Sequence, residues 1–121
     1  MNSNNHITVD QIKNDAEVIK KELVEWRHYL HAHPELSFKE ERTTHYIVNK
    51  LKNFGYTDIQ IGFGPLKTGV MVEIGSGRPC VMLRADIDAL PIQEQTGVEF
   101  CSQSKGVSCL LYTSDAADDK A

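Results

Sequence analysis

The hydrophobic pattern of the chain changes its period close to Gly55, and this change restricts the fold more than any other feature of the sequence. Before Gly55, apolar residues recur at alternating steps of four and three, the spacing of a stripe along one side of an α-helix. After Gly55, apolar residues either alternate with polar ones or run together, as they do in β-strands. Helices followed by strands predict a layered α/β domain.

The first apolar stripe predicts a helix over about residues 8–32. Thr8 and Gln11 have the spacing of a capping box, which satisfies free amide groups at a helix start. The helix is expected to end before Pro34, because the residue before a proline is displaced from helical backbone angles. The stripe consists of Ile12, Ala16, Ile19, Leu23, Trp26 and Leu30.

A second helix is predicted between Ser37 and Gly55. Ser37 and Glu40 form another capping-box pattern, and Gly55 can end the helix with a positive φ that a side chain would disfavour. The residues expected to face the core are Thr44, Ile47, Val48, Leu51 and Phe54.

Three later segments have strand character. Residues 57–61 form a weak candidate, and residues 68–75 place Val70, Val72 and Ile74 on one face. Residues 80–88 begin with four apolar residues, which indicates a strand covered on both faces. The sequence therefore predicts the first part of an α/β/α layered domain, with two helices and then strands of a mixed sheet.

Composition and charge exclude several classes of function. The formal net charge of −4 gives no indication of a nucleic-acid or anionic-membrane partner. No apolar run approaches the length that spans a bilayer, and the N-terminus lacks the pattern of a secretory signal. Cys80, Cys101 and Cys109 are odd in number and form no CxxC pair, which argues against a disulfide framework. We therefore expect a cytoplasmic protein.

Asp86 and Asp88 are the first candidate site residues. They follow directly on the apolar run, and ligands of α/β sheets gather at the carboxyl ends of strands. Side chains two positions apart point the same way on an extended chain, so this pair could hold a cation or orient metal-bound histidines. The alternative is that Asp86 caps a loop and Arg84 neutralises it; both interpretations are open at this point.

Three histidines lie close together at the end of the first predicted helix. His28 and His31 are one helical turn apart, and His33 follows. A metal site is one interpretation, but the segment has no HExxH arrangement and Pro34 ends the helix. The pattern therefore favours histidines that pack at a helix end or make hydrogen bonds.

Two longer blocks, "LHAHPELSFKE" and "LRADIDALPIQEQTG", resemble the N-terminal part of a family of metal-dependent amidohydrolases. The family is related to zinc peptidases and includes hippurate hydrolase, N-acyl-amino-acid amidohydrolases and auxin-conjugate hydrolases. The resemblance covers about residues 10–107. It implies a full-length enzyme with an α/β/α catalytic domain interrupted by a smaller lid domain.

The resemblance also implies the chemistry of that enzyme. One or two divalent ions (zinc, manganese, cobalt or nickel) would activate water, and a glutamate would act as general base. The substrate would be an N-acyl amino acid or a related small amide, and the enzyme could be a homo-oligomer. The alternative is a non-catalytic binding or regulatory module derived from the same fold.

Few family site residues can be carried over to this chain. Asp88 matches an aspartate that orients a metal ligand, and Asp86 matches a position where more distant relatives carry a histidine ligand. The first ligands of this branch are expected in a histidine-rich block after Val107, and Cys109 does not replace them because no histidine follows His45. We therefore expect the chain itself to bind no metal and to be inactive.

The last residues, "SCLLYTSDAADDKA", do not continue the family pattern. Residues 109–119 can be encoded by TGT CTC TTA TAC ACA TCT and GAC GCT GCC GAC GA, which resembles adapter DNA from library preparation. We therefore expect a flexible N-terminus at 1–7, a partial catalytic domain at 8–107 and a non-native tail at 108–121. Without later elements to cover it, the strand at 80–87 should be exposed.

Overall fold

The structure is a computed structural model that describes residues 6–109, in which two helices precede two antiparallel strand pairs. Its elements are α1 (Val9–Ala32), α2 (Glu41–Asn53), β1 (Ile59–Ile61), β2 (Val70–Val72), β3 (Ala89–Leu90) and β4 (Ser108–Cys109). Most of the predicted flexible N-terminus and most of the predicted non-native tail lie outside the described residues. Within residues 6–109, no helix combines the length and apolar character needed to cross a bilayer.

Helix α1 begins and ends where the sequence predicts. The Thr8 Oγ1 accepts a hydrogen bond from the Gln11 amide at 3.2 Å, and the helix ends at Ala32. The apolar stripe is only partly covered, because residues 6–25 are all exposed. Ile12 remains 56% exposed and Leu23 45% exposed, so the described residues supply no partner for the first half of α1.

The predicted capping box of α2 is wrong. Glu40 is the N-cap and makes no side-chain capping hydrogen bond, while Ser37 lies in a turn closed by a 2.9 Å bond from the Lys39 amide to the Leu36 carbonyl. Glu35 caps the helix instead. Its carboxylate accepts hydrogen bonds from the amides of Arg42 and Thr43 at 3.2 and 2.6 Å, and from the Thr43 hydroxyl at 2.7 Å.

Aromatic pairs join α1 to α2. The ring centroids of Trp26 and Phe54 lie 5.6 Å apart, and Tyr29 stacks on Tyr46 at 4.1 Å. Phe54 was predicted to be in the core but is 55% exposed, because it packs at the rim of this contact. The other predicted core residues of α2 are less exposed than Phe54: Thr44 and Val48 are buried, and Ile47 and Leu51 are half-buried.

The end of α2 and the first strand pair agree with the sequence. Gly55 follows the helix with φ 93°, as its predicted role requires. Strands β1 and β2 pair antiparallel, with Ile59 opposite Val72 and Ile61 opposite Val70. The turn between them is closed by a hydrogen bond from the Gly62 amide to the Gly69 carbonyl at 3.0 Å.

Residues 80–88 do not form the predicted strand. Val81, Met82 and Leu83 are 82%, 81% and 94% exposed, which agrees with the expected lack of cover over this segment. A groove of about 610 Å³ lies between this segment and β2. A lone extended segment leaves its backbone groups without partners, which explains why four apolar residues in a row do not suffice to make a strand here.

Candidate functional site

The two sequence blocks that resemble the amidohydrolases contact each other in the structure. The Ala89 amide donates a hydrogen bond to the Glu35 carbonyl at 2.8 Å, and Leu36 forms a parallel bridge with Ala89. Ala89 is only 4% exposed, so this contact is part of the small core. The contact fixes the backbone immediately after Asp88 against the turn that precedes α2.

Asp86 and Asp88 have different surroundings. Asp86 is exposed, and its Oδ1 accepts a hydrogen bond from Arg84 Nη2 at 2.9 Å, whereas Asp88 is half-buried. The neutralisation of Asp86 by Arg84 is therefore present in the structure. An ion pair this exposed contributes little to stability. The roles of Asp86 and Asp88 toward a metal stay predictions.

The three histidines near the end of α1 have separate partners. His28 stacks on Phe100 with ring centroids 3.7 Å apart, and His33 packs on Tyr29 at 4.6 Å. His31 places its Nε2 2.7 Å from the Glu94 carboxylate. This arrangement supports packing and hydrogen bonding over a metal site. Among residues 6–109, no three His, Cys, Asp or Glu side chains are placed to hold a metal ion.

Glu94 gathers hydrogen-bond donors from three directions. Its Oε1 accepts from His31 Nε2 and from the Thr96 hydroxyl, and its Oε2 accepts from the Ser102 amide at 2.6 Å. The side chains of Glu94 and His31 are only 5% and 12% exposed. We call the pair of these two side chains the His31–Glu94 clasp. No local sequence signal predicts this pair, because its two residues are 63 positions apart.

The donors around Glu94 determine its charge. Burial alone would raise the pKa of the Glu94 carboxyl, but hydrogen bonds from Thr96, His31 and the Ser102 amide outweigh it, so that the pKa is lowered. Glu94 is therefore ionised at neutral pH and can only accept hydrogen bonds. It follows that Nε2 of His31 carries a hydrogen.

The loop after Glu94 is folded onto the end of α1. The Gln103 amide donates to the Ala32 carbonyl at 2.9 Å, and the Gly106 amide donates to Gln93 Oε1 at 2.8 Å. The Ser102 hydroxyl donates to the Val107 carbonyl at 2.6 Å. These bonds bring the chain into β4, where Ser108 pairs with Leu90 and Cys109 with Ala89.

Comparison with known proteins identifies relatives of this chain. No family model matches the chain. The chain is 42% identical over 103 residues to the N-acyl-L-amino acid amidohydrolase of Geobacillus stearothermophilus, an alignment that covers 84% of this chain and 27% of the relative. A solved Bacillus subtilis structure, described as a dinuclear metal-binding peptidase of the M20 family, superimposes with a TM-score of 0.64 at 42% identity, over 76% of this chain and 26% of that one. The chain is a homologue of N-acyl-amino-acid amidohydrolases and of an M20-family peptidase.

A further relative of the chain is the N-acetyl-L-cysteine deacetylase of Bacillus subtilis, which is 47% identical over 91 residues, covering 74% of the chain and 21% of the relative. The chain thus spans about a quarter of the length of the relatives it matches. The resemblance inferred from the two sequence blocks is confirmed, and so is the assignment to part of an α/β domain.

Proposed function

We propose that the chain is part of a metal-dependent hydrolase that cleaves the amide bond of N-acyl amino acids or related small amides. The observation that carries this proposal is the 42% identity over 103 residues to an N-acyl-L-amino acid amidohydrolase. The N-acetyl-L-cysteine deacetylase supports the same substrate class, because its name also denotes removal of an acyl group from an amino acid. We place the full-length enzyme in the cytoplasm, where it could act as a homo-oligomer.

The metal of the proposed enzyme is a divalent ion such as zinc, manganese, cobalt or nickel. The proposal is supported by the M20-family neighbour, which is described as dinuclear. The described residues do not form a ligand set, so residues outside 6–109 would have to complete the site, and we derive no catalytic step through the metal. In this proposal Asp88 orients a metal ligand and Asp86 lies near the metal.

The 121-residue chain itself is expected to be inactive. Its partial catalytic domain would end at about Val107, and the residues that follow contain no histidine. The pairing of β4 with β3 is compatible with a non-native tail, because strand pairing uses backbone groups that every residue except proline supplies in full.

Hydrolysis assays test this proposal. The purified chain is incubated with N-acetyl amino acids or hippurate and each of the four metals, and release of the free amino acid is compared with a metal-only control. We expect no release above that control, and activity of the chain would contradict the expected inactivity. A protein that instead carries the genomic sequence after codon 107 should release the amino acid and lose this activity with a chelator. If it cleaves none of these amides, the proposed function is wrong.

A further inference from the structure

One carboxylate connects the end of α1 with two points of the loop that leads to β4. Through the Glu94 oxygens, the end of α1 (His31), the loop that holds Thr96 and the segment that leads to β4 (Ser102) meet at one point. The carboxylate is nearly inaccessible to water, so each of its hydrogen bonds replaces a lost interaction with solvent. Removing the carboxylate therefore leaves several donors without an acceptor.

The contacts of the clasp continue directly into β4. Ser102 receives the carboxylate at its amide and donates its hydroxyl to the Val107 carbonyl, one residue before β4 begins. The neighbouring Gln103 amide binds the Ala32 carbonyl, one residue after His31. The chain that enters β4 is thereby held against the end of α1 from two adjacent residues.

The opposite strand is fixed by an independent contact. Ala89 opens β3, binds the Glu35 carbonyl through its amide and pairs with Cys109 of β4. Asp88 directly precedes Ala89. The backbone after Asp88 and the backbone after Val107 therefore belong to the two strands of one antiparallel pair.

We propose that the His31–Glu94 clasp is a positioning device that sets the chain leaving Val107 against β3, and so against Asp88. In this chain the residues after Val107 form β4, and their pairing with β3 uses backbone groups, so it does not depend on residues 108 and 109 being native. The last step rests on the proposed function, in which metal ligands follow Val107 and Asp88 orients one of them. Glu94 is thus a positioning residue, because it acts through Ser102 and β4.

The chemistry of the clasp requires a carboxylate. A glutamine at position 94 would keep one acceptor oxygen but would turn an amide group toward the remaining donors. The glutamine amide group cannot face the Ser102 amide favourably, because both groups are hydrogen-bond donors. It could face His31 only if the imidazole changed its tautomer so that Nε2 accepts a hydrogen bond. Glu94→Gln should therefore weaken the clasp, and Glu94→Ala should abolish it.

Amide hydrogen exchange, followed by NMR on the 121-residue chain, tests this inference without any need for hydrolysis. In Glu94→Ala we expect exchange to accelerate about tenfold or more at Ser102, Gln103 and in β3 and β4, with a smaller effect in Glu94→Gln. The Thr44 amide, which binds the Glu40 carbonyl within α2, should keep its rate. The control is Glu99→Ala, which removes an exposed carboxylate from the same loop.

Two results would overturn the inference. One is unchanged exchange in β3 and β4 of Glu94→Ala, and the other is equal acceleration in α2, which would indicate a general loss of stability. If Glu94→Ala does not fold, Glu94→Gln decides the question, with the ¹⁵N shifts of His31 reporting whether the imidazole has changed its hydrogen-bonding state. An unchanged His31 tautomer together with unchanged exchange in β3 and β4 contradicts the proposal. All these results are independent of whether the full-length enzyme hydrolyses N-acyl amino acids.

Discussion

Two regions of the chain differ sharply in how they are held. The partly buried carboxylates of Glu35 and Glu94 accept hydrogen bonds from backbone amides and side chains, and the two family blocks contact each other. In contrast, residues 6–25 and most of residues 80–88 present apolar side chains to solvent. Apolar surface of this extent normally lies against another part of a protein. Among the described residues, polar contacts join the region around Glu35 and Glu94, whereas the apolar faces of residues 6–25 and 80–88 have little cover.

The largest effect should follow from breaking the polar region at Glu35. Glu35→Ala removes the acceptor for two amides at the start of α2 and for the Thr43 hydroxyl, and we expect the free energy of unfolding to fall by about 2–3 kcal/mol. Urea denaturation followed by circular dichroism measures this. The control is Glu22→Ala on the exposed part of α1, and equal losses in the two variants would contradict the capping role of Glu35.

The turn between β1 and β2 gives a smaller, sterically defined effect. A Cβ on Gly62 would lie 2.3 Å from the Leu66 carbonyl oxygen, and its φ is 75°. Gly62→Ala should therefore lower the free energy of unfolding by about 2 kcal/mol, through backbone displacement added to strain. Gly64→Ala is the matched control, since its φ is 64° but a Cβ there meets no atom within 4 Å. It should lose only about 1 kcal/mol.

The clasp predicts a dependence of stability on pH. The pKa of Glu94 is lowered in the folded chain because its hydrogen-bond donors outweigh the effect of burial. Its stabilising contribution is therefore complete above the ordinary pKa of 4.5 and is lost as the pH falls through the lower folded value. Among the described residues, His31 is the titratable group that contacts it.

Urea midpoints measured at several pH values check this prediction. The stability advantage of the unchanged chain over Glu94→Gln should shrink as the pH falls below 4.5. A difference that grows as the pH falls below 4.5 would contradict the lowered pKa of Glu94 in the folded state.

The smallest effect is expected in the exposed apolar region. Leu83 is 94% exposed, so Leu83→Ala should change the free energy of unfolding by less than about 0.5 kcal/mol. The buried Val48 of α2 offers the comparison, since Val48→Ala should cost about 1–2 kcal/mol by the loss of packed methyl groups. If Leu83→Ala is as costly as Val48→Ala, residues 80–88 are packed in solution and the contrast between the regions fails.

Local signals predicted the local structure well. The apolar period and the Thr8 cap located α1, Gly55 marked the end of α2, and alternation located β1 and β2. The start of α2 was predicted wrongly, because Glu35 and not Ser37 caps the helix. Ser37 lies in the turn closed by the Lys39–Leu36 hydrogen bond, and the local capping pattern does not contain this turn. Residues 80–88 failed as a strand because strand pairing depends on neighbours that a local pattern does not contain.

The site was predictable only in part. The two blocks that carry the family resemblance were visible as sequence, but their contact through Ala89 and Glu35 was not. The clasp could not be predicted, because Glu94 lies in a polar loop without hydrophobic periodicity. The sequence also does not distinguish its partner, His31, from the two neighbouring histidines. Metal roles for Asp86 and Asp88 came from the resemblance, and they remain predictions.

The nucleotide sequence of the genomic locus beyond codon 107 tests the central claim most directly. If the chain is part of a metal-dependent amidohydrolase, the reading frame should continue from Val107 into a block rich in histidine that supplies the first metal ligands. The codons for residues 108–121 should then be absent from the locus. A genomic frame that encodes "SCLLYTSDAADDKA" and stops there would contradict the account, because it would leave the protein without the ligands that the proposed reaction requires.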